Sequence, residues 1–199
     1  MTDNISGDIS GRVRPRDTIT LSDDYYILRK TTFDFRRSDG QWQTQSRESY
    51  DIGDAAAVLP YDAARGLVLL IRQFRWPVFE WGLPELLIEA PAGKLDGDDP
   101  VTCARKEAME EAGVAVSDLR LVNHCFMSAG AVKERISLFL AAYDSTAPRG
   151  KGGGHAHEGE DIETLEMPLD AALAMIATGE IVDAKTIILL QAAKLETQK

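Results

Sequence analysis

Hydrophobic and polar positions along the chain fall into two rhythms, one of period two and one near 3.6. After Asp24, "YYILRKTTFDFRR" is dense in aromatic and β-branched residues and predicts a strand; "SDGQ" predicts a turn and "WQTQSRESYDI" the returning strand. Together they predict an N-terminal β-hairpin. "AAAVLPYD" and "LVLLIRQFR", on either side of the turn "DAARG", are apolar enough to be buried strands. "WPVFEWGLPE", with two Trp and two Pro, predicts a loop, and "LLIEAPAG" a short strand. A helix is predicted from about Pro100 to Ala112, capped by Asp98 or Asp99 and stopped at Gly113. "LRLVNHCFMS", "RISLFLAAYD" and "IETLEMPL" predict further strands, and "STAPRGKGGGHAHEGED" a long glycine-rich loop. "LDAALAMIATGE" and "AKTIILLQAAKLE" repeat apolar residues at helical spacing. Mixed sheet, one central helix, more sheet and closing helices predict an α+β fold built as an α/β/α sandwich.

Composition changes this picture in few places. The chain has 199 residues, 44% hydrophobic and 27% charged, which suits one globular domain with a small subdomain. Residues 1–18 are polar, with Gly, Ser, Pro and both signs of charge, and predict a flexible tail; 19–52 form the β subdomain and 53–199 the main domain. A net charge of −10 repels nucleic-acid phosphates, so no nucleic-acid partner is expected. Two cysteines, Cys103 and Cys125, are too few for a disulfide framework and suit reduced thiols in a cytoplasmic protein. No apolar run approaches membrane-spanning length, and "MTDNISGDISGRVRPRD" lacks a hydrophobic signal region.

The central helix carries the candidate chemistry. Glu107 and Glu111 lie four residues apart on one face, with Glu110 at its border, and like charges so placed repel. A divalent cation would turn that repulsion into shared coordination, since Mg²⁺ and Mn²⁺ take oxygen ligands. Gly93 lets the backbone pass close by, and the carbonyl of Ala92 is a further candidate ligand. A solvated acidic face is the alternative reading of the same residues.

The spacing resembles the Nudix box. That pattern runs Gly, five residues, Glu, seven residues, Arg-Glu-apolar-x-Glu-Glu-x-Gly-apolar, and Glu107, Ala108, Glu110, Glu111, Gly113 and Val114 match its second half. Three departures stand out: Lys106 occupies the Arg position, Asp98 replaces the upstream Glu, and the loop from Gly93 is one residue short. "LIRQFR", "IEAPAGKLD", "GGG…EDIE", "LDAALAMIATGEI" and "DAKTIILL" are similar to the GDP-mannose pyrophosphatase branch of that family, a close cousin of the ADP-ribose branch. The resemblance implies a Nudix α/β/α sandwich, a homodimer swapped through N-terminal strands, and two or three Mg²⁺ or Mn²⁺ per site. It implies hydrolysis of the diphosphate of a nucleotide sugar, GDP-mannose or alternatively ADP-ribose; a module that binds without cleaving is a third possibility.

By the same resemblance Glu160 is a loop carboxylate acting as metal ligand, general base or both, with Glu158 and Asp161 as competitors, and Gly152–Gly154 let that loop close over substrate. Glu110 and Glu111 complete the catalytic set. Arg75 faces phosphate, Tyr25 stacks on a base, Arg47 and Glu48 reach the nucleotide from a partner subunit, and Glu134, Lys185 and Gly93 are further substrate contacts. His155 and His157 read as solvated and Cys103 as core; Trp76 and Trp81 suit either base stacking or a dimer interface.

Overall fold

The structure is a computed structural model and describes residues 7–197. In chain order its strands and helices begin with β1 (Val13–Asp23), β2 (Ile27–Arg36), β3 (Trp42–Asp51), β4 (Ala55–Asp62), β5 (Leu67–Gln73) and α1 (Trp76–Trp81). β6 (Leu87–Glu89), β7 (Ala92–Lys94), α2 (Pro100–Glu110) and β8 (Ser117–Cys125) follow. β9 (Val132–Lys133), β10 (Ile136–Ala142), β11 (Glu163–Pro168), α3 (Leu169–Thr178) and α4 (Ala184–Glu196) complete the order. The chain divides into two compact units, residues up to 52 with 128–134, and residues 53–127 with 135 onward.

The N-terminal unit is a sheet in the order β1-β2-β3-β9. β2 and β3 form the expected hairpin, with Thr31 opposite Arg47 and Lys30 opposite Glu48. Residues 1–6 of the expected tail lie outside the described residues, and from Val13 the rest is strand β1. The composition that looked like a tail is that of an edge strand. Pro15 sits where a missing N–H is tolerated, next to a register shift between Pro15 and Asp17, and Arg14, Arg16 and Asp17 keep the edge polar. Arg14 stacks on Trp42 and Arg12 on Phe35, while Asp34 accepts from Arg16 and Thr44. Among the described residues this unit buries no apolar side chain, and Ile19, Leu21, Tyr25, Trp42 and Tyr50 are exposed.

The larger unit is an α/β/α sandwich. Its sheet runs β11-β5-β4-β10-β8, with β4 and β10 parallel and the other neighbours antiparallel. Alternation along β4 sends Ala55, Ala57 and Leu59 into one core with Leu169, Ala172, Leu189 and Leu190, from α3 and α4. Ala56 and Val58 enter the other core, with Cys103, Ala104 and Ala108 of α2. β4 and β5 pair only at Tyr61–Val68 and Asp62–Leu67, beside their connecting turn. Beyond that they part. β6 pairs with the far end of β5, β7 pairs with Ala55–Ala57 of β4, and the segment 87–94 sits in the fork. The segment expected to be a loop at 76–85 holds the short helix α1. Pro77 falls in its first turn, where no N–H is needed, and Gly82 closes it at a φ of 113°.

Candidate active site

α2 is built to present carboxylates toward the fork. Asp99 caps it, accepting from Val101 N–H at 2.9 Å and Thr102 N–H at 3.1 Å, and Pro100 fills the first turn. Cys103, Ala104 and Ala108 bury one face in the core. Small residues there bring the helix close to the sheet, and the side chains that border that contact are glutamates. Leu95 to Asp98 form the tight turn that leads in, with Asp96 and Gly97 both at positive φ. In this shortened loop Lys106 Nζ meets Asp98 Oδ2 at 3.0 Å, so the two departures from the family pattern pair with each other.

Glu111 is the centre of the site. It is 2% exposed, accepts from Ala92 N–H at 2.8 Å and receives Gln73 Nε2 at 3.5 Å. Glu107 lies against the backbone of Gly93, where an added Cβ would stand 2.0 Å from its Oε1 and no side chain fits. Burial pushes the Glu111 pKa up to about 8; Glu107 and Glu160 add to the rise, and the Ala92 N–H and Arg75 oppose it.

Glu160 arrives on the glycine-rich segment, which is docked and not open. Gly150 N–H donates to Gly113 O at 2.7 Å, Gly153 N–H to Glu111 O and Gly154 N–H to Glu110 O, both at 2.9 Å. These bonds take up carbonyls at the end of α2 that the helix itself leaves without partners. A Cβ on Gly152 would stand 2.9 Å from Glu111 O, so the approach needs glycine. His155 N–H then holds Glu160 Oε2 at 2.8 Å, and the His155 ring stands 3.5 Å from Glu110 Oε2. Asp161 is exposed, and the side chain of Glu158 is outside the described ones.

On the other side of the fork lies a second buried cluster. Glu89 receives Arg75 Nε at 2.8 Å on one oxygen and Lys185 Nζ at 2.5 Å on the other. Lys185 also meets Asp183 Oδ1 at 3.1 Å. Burial works to raise the Glu89 pKa, but Lys185 and Arg75 outweigh it and hold the carboxyl below its ordinary range. Thr186, fully buried, accepts from Ala90 N–H at 2.7 Å and donates to Asp183 Oδ2 at 2.6 Å.

The structure thus brings Ala92, Gly93, Glu107, Glu110, Glu111 and Glu160 into one constellation, with Arg75 close enough to act on the Glu111 charge. Lys185 joins through Glu89. Tyr25, Arg47, Glu48 and Glu134 belong to the other unit. There Tyr25 is exposed and edge-on to Tyr26, Arg47 bonds to Gln45 and Ser46 O, and Glu48 faces Lys30 across the strands. Sequence reasoning missed Glu89, Asp183 and Thr186. Two signals were available: Glu89 is the lone charge in "LLIEAP", and Asp183-x-x-Thr186 is a helix-capping spacing.

Among the described residues no three His, Cys, Asp or Glu side chains are drawn in to ligate one point. The donor set nonetheless fits a hard divalent cation. Glu107 and Glu160 both act on buried Glu111 and favour its protonated form, and the donors are oxygens. Cys103 lies in the core beneath α2, its thiol donating to Lys94 O at 3.3 Å, and burial and Glu107 push its pKa up to about 11.

The NUDIX domain family model matches residues 51–190, and the chain belongs to the Nudix family. The model described as the GDP-mannose pyrophosphatase NudK N-terminal domain matches residues 12–50. The chain is 47% identical over 176 residues to a GDP-mannose pyrophosphatase of Cronobacter sakazakii, covering 88% of this chain and 91% of that one. It is 47% identical over 174 residues to that of Pectobacterium atrosepticum, covering 87% and 89%. A solved structure, described as an ADP compounds hydrolase, superposes with a TM-score of 0.69 at 17% identity, covering 93% of this chain and 96% of that one; it shares the fold.

Proposed function

We propose that this chain hydrolyses the diphosphate of GDP-mannose, giving GMP and mannose 1-phosphate. Two lines support the reading. The relatives that match most of its length carry that activity in their names. The observation that carries it in the structure is Glu111, buried beside Ala92 and near Glu107 and Glu160, an oxygen-rich cluster of the kind a divalent cation takes. When bound, two or three Mg²⁺ or Mn²⁺ would screen the diphosphate and lower the pKa of the attacking water.

The chain's own residues divide the remaining work. Glu107, Glu111, Glu160 and the Ala92 carbonyl hold the metals. Gly93 leaves room for Glu107 and for the approach of substrate. Arg75, half exposed and steadied by Glu89, turns its remaining donors to phosphate. Glu160 takes the proton of the attacking water, and its carboxylate is aimed by the His155 N–H before substrate arrives. Glu110 keeps the His155 ring, and so the Glu160 segment, against α2.

In this reading the protein is a homodimer. The N-terminal sheet buries no apolar side chain among the described residues, and a sheet of this size needs a covered apolar face to be stable. In that dimer Tyr25 stacks on the base, Arg47 and Glu48 reach the nucleotide from a partner subunit, and Glu134 is a further contact, while Lys185, enclosed by Glu89 and Asp183, acts through Glu89 on Arg75. Free Cys103 and Cys125 fit a reducing cytoplasm.

The test is hydrolysis of GDP-mannose, GDP-glucose, ADP-ribose and UDP-glucose under Mg²⁺ and then Mn²⁺, with products separated. Preferred release of GMP and mannose 1-phosphate supports the reading. Preference for ADP-ribose keeps the chemistry and overturns the substrate. Binding of GDP-mannose without cleavage of any compound overturns the enzyme reading.

A further inference from the structure

We propose, resting on the hydrolase reading, that Asp183 and Thr186 at the start of α4 are positioning residues that set the metal-facing and phosphate-facing sides of the site from one carboxylate. Asp183 Oδ2 accepts from Thr186 N–H at 3.0 Å and from the Thr186 hydroxyl at 2.6 Å. Its single proton spent on Asp183, Thr186 Oγ1 accepts from Ala90 N–H at 2.7 Å. The last β5–β6 partner of this strand is Glu89, opposite Ile71, so Ala90 N–H falls where the ladder has ended and needs an acceptor. Next, Pro91 O takes Val58 N–H at 2.9 Å, and Ala92 N–H donates to Glu111. The corner that carries Ala92 and Gly93 is therefore pinned at three successive residues, and Thr186 is the pin that comes from α4.

The second arm leaves from the other oxygen. Asp183 Oδ1 holds Lys185, Lys185 holds Glu89, and Glu89 holds Arg75. A helix cap does not call for this. Ser, Thr or Asn caps a helix about as well as Asp. A buried set of two cations and two anions is also a weak route to stability, because its desolvation offsets its attraction. What the arrangement does supply is direction: one carboxylate fixes a backbone corner and a guanidinium on opposite sides of the fork. Sequence separation hides it, since the pairs Glu89–Lys185 and Ala90–Thr186 are both 96 residues apart.

Two variants separate the arms. Thr186→Val keeps the volume and removes the hydroxyl; Thr186→Ser keeps the hydroxyl. Asp183→Asn keeps an oxygen for the cap and removes the charge that faces Lys185. Mn²⁺ affinity of the substrate-free protein is read by electron paramagnetic resonance, alongside kcat, KM for GDP-mannose and melting temperature. Thr186→Val is expected to weaken Mn²⁺ about ten-fold and to lower kcat at saturating metal, with KM little changed, and Thr186→Ser to restore both. Asp183→Asn is expected to raise KM with Mn²⁺ affinity little changed. Unchanged Mn²⁺ affinity in Thr186→Val overturns the proposal. So does an equal loss of Mn²⁺ affinity, kcat and KM in both variants that follows the drop in melting temperature. Because Mn²⁺ binding is read without substrate, failure of the wild-type protein to cleave GDP-mannose sinks the hydrolase reading alone.

Discussion

Glu111 and Glu89 are buried to nearly the same degree, 2% and 3% exposed, on either side of one fork, yet their acidities move in opposite directions. Glu89 stands between Arg75 and Lys185 and stays ionised. Glu111 faces Glu107 and Glu160, and its pKa climbs to about 8. Burial costs both carboxylates alike; the sign of the neighbours decides the result. One cluster is complete within the protein. The other gathers carboxylates whose mutual repulsion a divalent cation would offset.

The contrast breaks first at Glu111. Glu111→Gln should cut turnover about a thousand-fold or more while the fold survives, since Gln still accepts from Ala92 N–H. Steady-state rates beside circular dichroism check this, and a fully active variant would remove the metal assignment. Glu89→Ala should act oppositely, on stability. It leaves buried Lys185 with Asp183 as its remaining partner and strips Arg75 of its carboxylate, at a cost of about 3 kcal/mol. Urea unfolding measures it, and a loss under about 1 kcal/mol would mean that water already reaches the cluster.

A third effect is pH-dependent. With its folded pKa raised from 4.5 to about 8, Glu111 favours the fold when protonated. That stability is complete below pH 4.5 and is lost as pH rises through 8, because the unfolded chain gives up the proton first. Melting of the metal-free protein should therefore show a loss of roughly 2–4 kcal/mol across that window, reversed by Mn²⁺ and absent in Glu111→Gln. A flat profile in the wild type would show that burial, with Glu107 and Glu160, does not raise the Glu111 pKa. The smallest effect belongs to the exposed Lys106–Asp98 pair. Lys106→Ala should leave thermal and urea unfolding almost unchanged, because solvent screens the pair. A larger loss would make this surface pair a determinant of the loop.

The α2 carboxylates were legible in the sequence because a helix converts spacing into geometry: Glu107 and Glu111 share a face whatever surrounds them. The sandwich was legible for the same reason, through the apolar runs of β4, β5 and β10 and the periodic α3 and α4. Three things were not. α1 spans six residues, too few to establish a period, inside a Trp- and Pro-rich stretch. β1 is charged and contains Pro15, which suits a sheet edge as well as a tail. The Asp183–Thr186 arms depend on contacts between distant segments, and local pattern carries no trace of which strand a capping residue will face. The glycines at 152–154 were read as freedom to close over substrate; in the fold they permit contact, with Gly153 and Gly154 tied to the end of α2.

That docking limits how the site can diversify. The glycines of the strap grip the end of α2 through main-chain groups, so their seat asks that they lack a side chain. His155 adds its N–H to Glu160 and its ring to Glu110, so the turn that follows Gly154 ties Glu160 to the end of α2. A side chain added at Gly154 would stand 2.4 Å from Glu160 Oε2, so the strap passes any such exchange straight on to that carboxylate.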